Sequence, residues 1–299
     1  MSLIVIGTIA YDSIETVNES REDVLGGSAT YFALAASRYT EPRLVGVVGE
    51  DFKPEHRALF TEQGVHAGGL EVAAGKTFRW GGRYEPDWNT RHTTFTELNV
   101  LGDFNPKVAE EHRSSKYVFL ANAVPAIQSK ALDQIERPSF VVVDTMNLWI
   151  ESAKDDLLAL LRRVDAIVLN DEEARMLTGE SNLIRAASAV LGLGPRYVIL
   201  KKGEHGAFLM SADVHFSLPA YPVLEVVDPT GAGDSFAGGF MGFIASRDDT
   251  SPATLRQAML HGTVTASFCV QGFSVESMTG VTREELDQRY HELLGIVSV

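Results

Sequence analysis

Short apolar runs recur along this chain with helix-like stretches between them. Leu3–Ile6, Arg43–Val48, Tyr117–Leu120, Phe140–Val143, Ala166–Leu169 and Tyr197–Leu200 are of strand length and mostly apolar. A strand without polar alternation is buried on both faces. Between these runs, Pro54–Gln63, Pro125–Glu136, Leu148–Arg163, Glu172–Leu177 and Leu183–Leu191 read as helices, and Gly26–Tyr39 reads as a glycine turn, a Ser28 N-cap and a helix. Pro54 at the start of its stretch and Gly64 just past its end follow the usual asymmetry of helix termini. Repeated strand–helix units predict a mostly parallel sheet with helices on both faces, a three-layer α/β arrangement. "GEHGAFLMSADVHFSLP" predicts a hairpin. Gly231–Ser246, Pro252–Cys269 and Thr282–Leu294 predict a helical final third.

One stretch breaks the rhythm. From Val65 to about Leu98, apolar and polar residues alternate, with turns at Gly81–Gly82 and Pro86–Asp87. This predicts a small antiparallel sheet with one wet face, inserted to cover something. The 299 residues otherwise show no internal repeat or linker. A single domain over 1–299 is expected, with a lid insertion at roughly 65–98 that takes in part of 10–20.

Composition limits the partners. The formal net charge is −14, from 26 basic and 40 acidic residues. Nucleic acids and anionic membranes attract clustered Lys and Arg, so neither is expected. Small phosphate ligands are not excluded, because backbone N–H groups and a metal can hold them locally. Cys269 is the one cysteine, which rules out a disulfide or CxxC site within the chain. The N-terminal run lacks a basic flank and stops at Gly7, too short for a signal peptide or membrane span. A cytoplasmic location is the expectation.

Two nucleotide motifs fail. Gly75-Lys76-Thr77 would end a P-loop only with glycine at 70, which is Leu70. Gly231-x-Gly233 lacks the third small residue of a dinucleotide fingerprint, because position 236 is Phe236. "VVDPTGAGDSFAGGF" (Val226–Phe240) is more informative. Gly231, Ala232 and Gly233 lead into a helix whose first N–H groups lack partners, and the missing side chains let a phosphate approach them. Asp234 would repel that phosphate, yet it suits a base that deprotonates an attacking hydroxyl. The plainer reading of Asp234 is an acid favoured by the helix dipole alone. Asn170-x-x-Glu173 reads in the same two ways, as a helix cap or as a ligand-binding pair. Acidic or small residues also follow predicted strands at Asp12, Asp144, Asn170, Gly203 and Asp228, where ligands of such sheets gather.

"DPTGAGDSFAGGF" resembles the signature of the ribokinase-like, phosphofructokinase-B-type carbohydrate kinases. "GG…ALAASR" at Gly26–Arg38, "LNDEEARMLTG" with Asn170 and Glu173, and "VILKKGEHGAFL" are similar to further segments of that family. The resemblance spans essentially the whole chain. It implies a ribokinase-like fold and an ATP- and Mg²⁺-dependent kinase acting on a primary alcohol of a small sugar or polyhydroxy compound. By that resemblance Asp234 is the base, and the Gly231, Ala232 and Gly233 amides form the anion hole. Asn170 and Glu173 organise Mg²⁺ through its water shell. Lys201, Gly203 and Gly206 fall in the nucleotide segment, with Lys202 beside them. Asp12, Gly26 and Gly27 face the acceptor. Asp228 and Thr230 lie where some members bind a monovalent cation such as K⁺. The alternating insertion becomes the lid, often a homodimer surface as well.

The chain departs from ribokinases proper at Tyr31, where they resemble GGKGAN and place an Asn. Tyr31 either stacks on a substrate ring or packs in the core. Asp144 and Asn147 in "DTMNLW" also reach the expected pocket mouth, without an assigned role. A nucleoside acceptor is the alternative within the kinase class. A non-catalytic sugar- or nucleotide-binding regulator is the alternative outside it.

Overall fold

The computed structural model describes residues 2–298. After β1 (Leu3–Ile6) the chain leaves for β2 (Ala10–Glu15) and β3 (Ser20–Gly26), then enters α1 (Ser28–Ala36). β4 (Pro42–Gly49), α2 (Pro54–Glu62), β5 (His66–Ala73), β6 (Phe78–Tyr84) and β7 (Arg91–Glu97) follow. Next come β8 (Tyr117–Leu120), α3 (Pro125–Leu132), β9 (Phe140–Asp144), α4 (Asn147–Ser152), α5 (Lys154–Leu161) and β10 (Ala166–Asn170). α6 (Asp171–Thr178), α7 (Leu183–Leu191) and β11 (Tyr197–Lys201) precede the hairpin β12 (Ala207–Met210) and β13 (His215–Leu218). α8 (Ala232–Arg247), α9 (Pro252–Cys269), α10 (Glu276–Thr279) and α11 (Arg283–Val297) complete the described elements.

Among the described residues the strands form two sheets. The larger has nine strands in the order β13-β12-β11-β10-β9-β8-β1-β4-β5. Its pairs from β11 to β5 are parallel, and the β12–β13 hairpin adds antiparallel pairs at one edge. Alternate residues of the central strands feed opposite layers. Leu3 and Val5 pack with α1, α8 and α9, whereas Ile4 and Ile6 pack with α3, α5 and α7. Both layers are dry, and each Leu, Ile or Val so buried contributes about 1.5–3 kcal/mol. The expected α/β layering is therefore observed.

The second sheet has four strands in the order β3-β2-β6-β7 and is the expected small lid. Its boundaries differ from the expectation of 65–98. His66–Ala73 pairs in parallel with β4 at the edge of the main sheet, where one open side makes its residues alternate. The lid takes β2, within the expected part of 10–20, and also β3; β2 pairs with β6 in parallel, so it is not purely antiparallel. One lid face carries Ile14, Trp80 and Tyr84, which pack on Phe273. β7 is exposed at every residue.

Three local expectations also change. Ser28 is not an N-cap; Gly27 occupies that position, and the Ser28 hydroxyl instead meets Thr8 Oγ1 at 3.0 Å. The helix expected over Leu148–Arg163 is broken at Ala153, whose φ of −139° and ψ of 36° are not helical. Among the described residues no strand runs directly into Asp228, and Leu224, four residues before it, is 98% exposed.

α8 is held by its neighbours along its length. Near its C-terminal end, the buried His261 ring of α9 lies between Phe243 at 4.1 Å and Tyr290 at 4.4 Å, with Tyr39 edge-on at 5.3 Å.

Candidate active site

The loop Asp228–Gly231 turns the chain into α8, and local contacts fix its shape. Asp228 is fully buried; it accepts N–H bonds from Thr230 at 2.8 Å and from Ser274 at 3.3 Å. Thr230 Oγ1 donates to the Tyr84 hydroxyl of the lid at 3.2 Å. A cation at Asp228 and Thr230 would have to share oxygens that already hold this loop. Gly231 takes the N-cap position with φ of 77°, a left-handed conformation that favours glycine. A Cβ there would also run into the Tyr31 ring. Tyr31 is 1% exposed, so it packs beneath the loop in the core and is not a platform for a substrate ring.

The helix start lacks a side-chain cap. The Ala232 N–H, expected in the anion hole, donates instead to the Pro229 carbonyl at 3.2 Å. The Gly233 and Asp234 N–H groups have no acceptor among the described residues. These two amides, at the positive end of a 16-residue helix, are the free donors for an anion.

Asp234 lies in the same turn and makes no side-chain hydrogen bond within the described residues. Burial raises its pKa to about 7; repulsion from Asp144 adds to this, while Lys201 and Arg91 oppose it. A carboxyl poised there can take a proton near neutral pH.

Around Asp234 stand groups from the ends of other strands. Asp144 closes β9 and Lys201 closes β11, with Lys201 Nζ 3.6 Å from Asp144 Oδ1. The sequence reading of Lys201 as a strand-end residue in the nucleotide segment is compatible with this place, but its burial among acids was not legible there. Asn170 caps α6 in a reciprocal capping box: its Oδ1 accepts the Glu173 N–H at 2.8 Å, and Glu173 Oε2 accepts the Asn170 N–H at 2.7 Å. The cap reading of this pair is thus correct, and it leaves Glu173 Oε1 and Asn170 Nδ2 for other use. Burial raises the Glu173 pKa to about 7, against the pull of Lys201. With Asp144 Oδ1 and Asn147 Oδ1 buried and unpartnered, this end of the site offers oxygens of the hard type that suits hydrated Mg²⁺.

On the other side, Asp12 of β2 is 4% exposed. Burial raises its pKa to about 8; the Gly27 amide works against this, and Asp228 and Asp234 add to it. A Cβ on Gly26 would collide with the Asp12 carboxyl, and one on Gly27 would stand 2.6 Å from the Thr8 carbonyl. The glycine pair therefore lets β3 and α1 close around Asp12. Gly203 abuts Asn89 in the β6–β7 turn, so the lid tip meets the loop after β11. Gly206 is pressed against the backbone of Leu218–Ala220, where a Cβ would not fit.

One feature escaped the sequence. Arg91 of β7 lies over the Trp80 ring at 5.3 Å, and its charge draws down the pKa values of Asp12 and Asp234. A cavity of about 30 Å³ lies between lid and body. Phe78, Trp80 and Thr96 line it from the lid; Asn122, Met146 and Trp149 line it from the body. Trp149 Nε1 donates to Asn122 Oδ1 at 2.8 Å, which fixes the indole. "DTMNLW" was the only sequence signal for this wall.

The family model for pfkB family carbohydrate kinases matches residues 2–279. The chain is 28% identical over 250 residues to a cytidine kinase of Thermococcus kodakarensis, covering 81% of this chain and 87% of that protein. Among solved structures, a Burkholderia thailandensis nucleoside kinase in complex with inosine superposes with a TM-score of 0.80 at 19% identity, over 98% of this chain and 99% of the other. An aminoimidazole riboside kinase from Salmonella enterica, complexed with aminoimidazole riboside and an ATP analogue, gives 0.77 at 20% identity, over 97% and 100%. These two likenesses speak for the fold.

Proposed function

The chain belongs to the pfkB family of carbohydrate kinases, and on that premise we propose that it transfers the γ-phosphoryl group of ATP to a primary hydroxyl of a nucleoside. The observation that carries the chemistry is Asp234 beside the two free amides of α8. The acceptor O–H gives its proton to the Asp234 carboxylate as its oxygen bonds to the γ-phosphorus. The bond from that phosphorus to the bridging oxygen breaks, and its electron pair leaves with ADP. The Gly233 and Asp234 N–H groups face the charge that collects on the transferred group. Asp12 grips acceptor hydroxyls. Glu173 and Asn170 would hold Mg²⁺ through water, and the ion neutralises phosphate charge when bound.

The nucleoside reading rests on the lid cavity. Phe78, Trp80, Met146 and Trp149 present flat or soft apolar surface, and Asn122 adds polar groups that suit a base edge. Two indoles give a planar base more face to stack on than a small sugar ring offers. The similarity to a cytidine kinase supports the same acceptor class. At about 30 Å³ the cavity holds roughly one water, so a base enters only when the lid lifts from the body.

The test is ATP turnover against a panel of cytidine, uridine, adenosine, inosine, ribose and fructose, with wild type and Asp234→Asn. Turnover confined to nucleosides and lost in the variant is expected. Turnover of the free sugars alone would overturn the acceptor class. Equal turnover by the variant would overturn the base.

A further inference from the structure

Four ionisable side chains from four elements converge where the parallel strands end. They are Asp144 of β9, Glu173 of α6, Lys201 of β11 and Asp234 of α8. One ammonium stands among three carboxyls, with Arg91 of the lid as the other cation whose field reaches Asp234 and Glu173. Burial works against the Lys201 charge, and Asp144, Glu173 and Asp234 together more than offset it, leaving its pKa raised.

The lysine is held on the Asp144 side. The two side chains are 20% and 7% exposed, and Asp144 Oδ1 lacks a hydrogen-bond partner among the described residues. At 3.6 Å the ammonium is held by charge rather than by a short hydrogen bond. Its three N–H donors remain available to a ligand. The ammonium also overhangs the anion site: a Cβ on Gly233 would stand 2.7 Å from Lys201 Nζ. Glycine at 233 thus makes room for the lysine as well as for phosphate.

We propose that Asp144 is a positioning residue for phosphoryl transfer, which holds the Lys201 ammonium over the Gly233 amide so that the lysine meets the transferred group. The inference rests on the kinase reading above. A lysine has a long, mobile stem, and ordering it costs rotamer entropy. A buried carboxylate on one side fixes it before ATP arrives. Asp144 also keeps the ammonium away from the base. Without Asp144, the remaining acids are Glu173, tied into its capping box, and Asp234, which has no hydrogen bond. The ammonium would then settle on Asp234 and quench it as a proton acceptor. Lys201 itself forms no covalent bond in the step.

The test is a double-mutant cycle of Asp144→Asn and Lys201→Met, read as kcat and as KM for ATP and for the best acceptor of the panel. Asp144→Asn should lower kcat about tenfold to a hundredfold, the scale on which a misplaced group slows a step, with acceptor KM within about threefold. In the Lys201→Met background the same change should alter kcat by less than about twofold, because the group it positions is gone. Asp144→Glu should restore part of the loss, which a merely structural defect would not allow. Independent, multiplying losses would overturn the proposal, as would full kcat in Asp144→Asn. A wild type that turns over no acceptor and binds no ATP overturns the kinase reading and this inference with it. An active wild type with an unaffected Asp144→Asn variant overturns this inference alone.

Discussion

The first turn of α8 and its middle turns both rely on glycine, but on different terms. In the first turn, Gly231 and Gly233 leave space for other groups: the Tyr31 ring beneath and the Lys201 ammonium above. In the middle, Gly238 and Gly242 lie four residues apart, on one face, against the backbone of α1. A Cβ on Gly238 would come within 2.6 Å of Ala35 Cβ, and one on Gly242 within 3.0 Å of Ala36 Cα. Gly239 faces α9, where a Cβ would stand 2.5 Å from Thr265 Oγ1. Each interior glycine costs about 1 kcal/mol relative to alanine in helix propensity. The middle turns recover this through close helix packing, whereas the first turn recovers nothing in stability. It crowds raised-pKa acids around unsatisfied amides, the arrangement that the proposed transfer uses.

Substitutions at the two ends should therefore separate activity from stability. The largest effect is expected from Asp234→Asn, with kcat down by roughly 10²–10⁴ and melting temperature scarcely changed. Wild-type kcat/KM should rise with pH until about 7, where Asp234 loses its proton, and the variant should lack that limb. A variant that kept this limb would break the contrast at its strongest point.

Gly233→Val should come next. Its Cβ would displace the Lys201 ammonium and crowd the amide, lowering kcat about a hundredfold by misplacement. Circular dichroism should show an intact fold. Loss of fold would mean that Gly233 belongs with the packing glycines.

Gly238→Ala should do the reverse. Overpacking against α1 costs about 1–3 kcal/mol, visible as a lower denaturant midpoint, while kcat per folded molecule stays near wild type. An equal loss of kcat would show that the two ends are mechanically coupled.

The last effect is spread over several pH units and is read as a slope. Burial lowers the His261 pKa from the ordinary 6.5 to about 3. Between those values the unfolded chain binds a proton that the folded chain refuses. Stability from this group therefore falls as pH drops below about 6.5, by up to ~1.4 kcal/mol per pH unit. The acids at the other end carry the opposite sign. Asp12, raised to about 8, keeps a proton in the fold that it loses when unfolded, so its share falls as pH rises from about 4 to 8. His261→Phe, which keeps a ring between Phe243 and Tyr290, should flatten the melting-temperature slope between pH 4 and 6.5. An unchanged slope would show that His261 is protonated within the fold.

What could be read from the sequence was what neighbours in the chain decide. Apolar runs in β1, β8, β9, β10 and β11 announced a doubly covered sheet, and α7 and α9 begin and end where their sequence signals lie. The Asn170–Glu173 box was legible because both partners sit within one turn. Errors arose where a distant partner decides. His66–Ala73 alternates like a lid strand, yet β4 claims it. Ser28 looks like a cap, but Thr8 takes its hydroxyl. Tyr31 could have faced a ligand, and only the approach of Gly231 shows that it packs below the loop. In the site, Asp234 was visible from its own motif. The pairing of Asp144 with Lys201, 57 residues apart in the chain, and the reach of Arg91 from the lid were not.

The strand order of the main sheet bears on how the protein is made. From β9 to β13 each strand pairs with the one before it, so this half can assemble as it leaves the ribosome. β1 is different: it emerges first but stands in the middle, between β4 and β8. Its second flank waits for Tyr117–Leu120, more than a hundred residues later. At ~5–20 residues per second, the edge Leu3–Ile6 stays open for roughly 6 to 20 seconds. During that interval an apolar strand lacks one neighbour, which is the window in which a nascent chain of this kind most needs a chaperone.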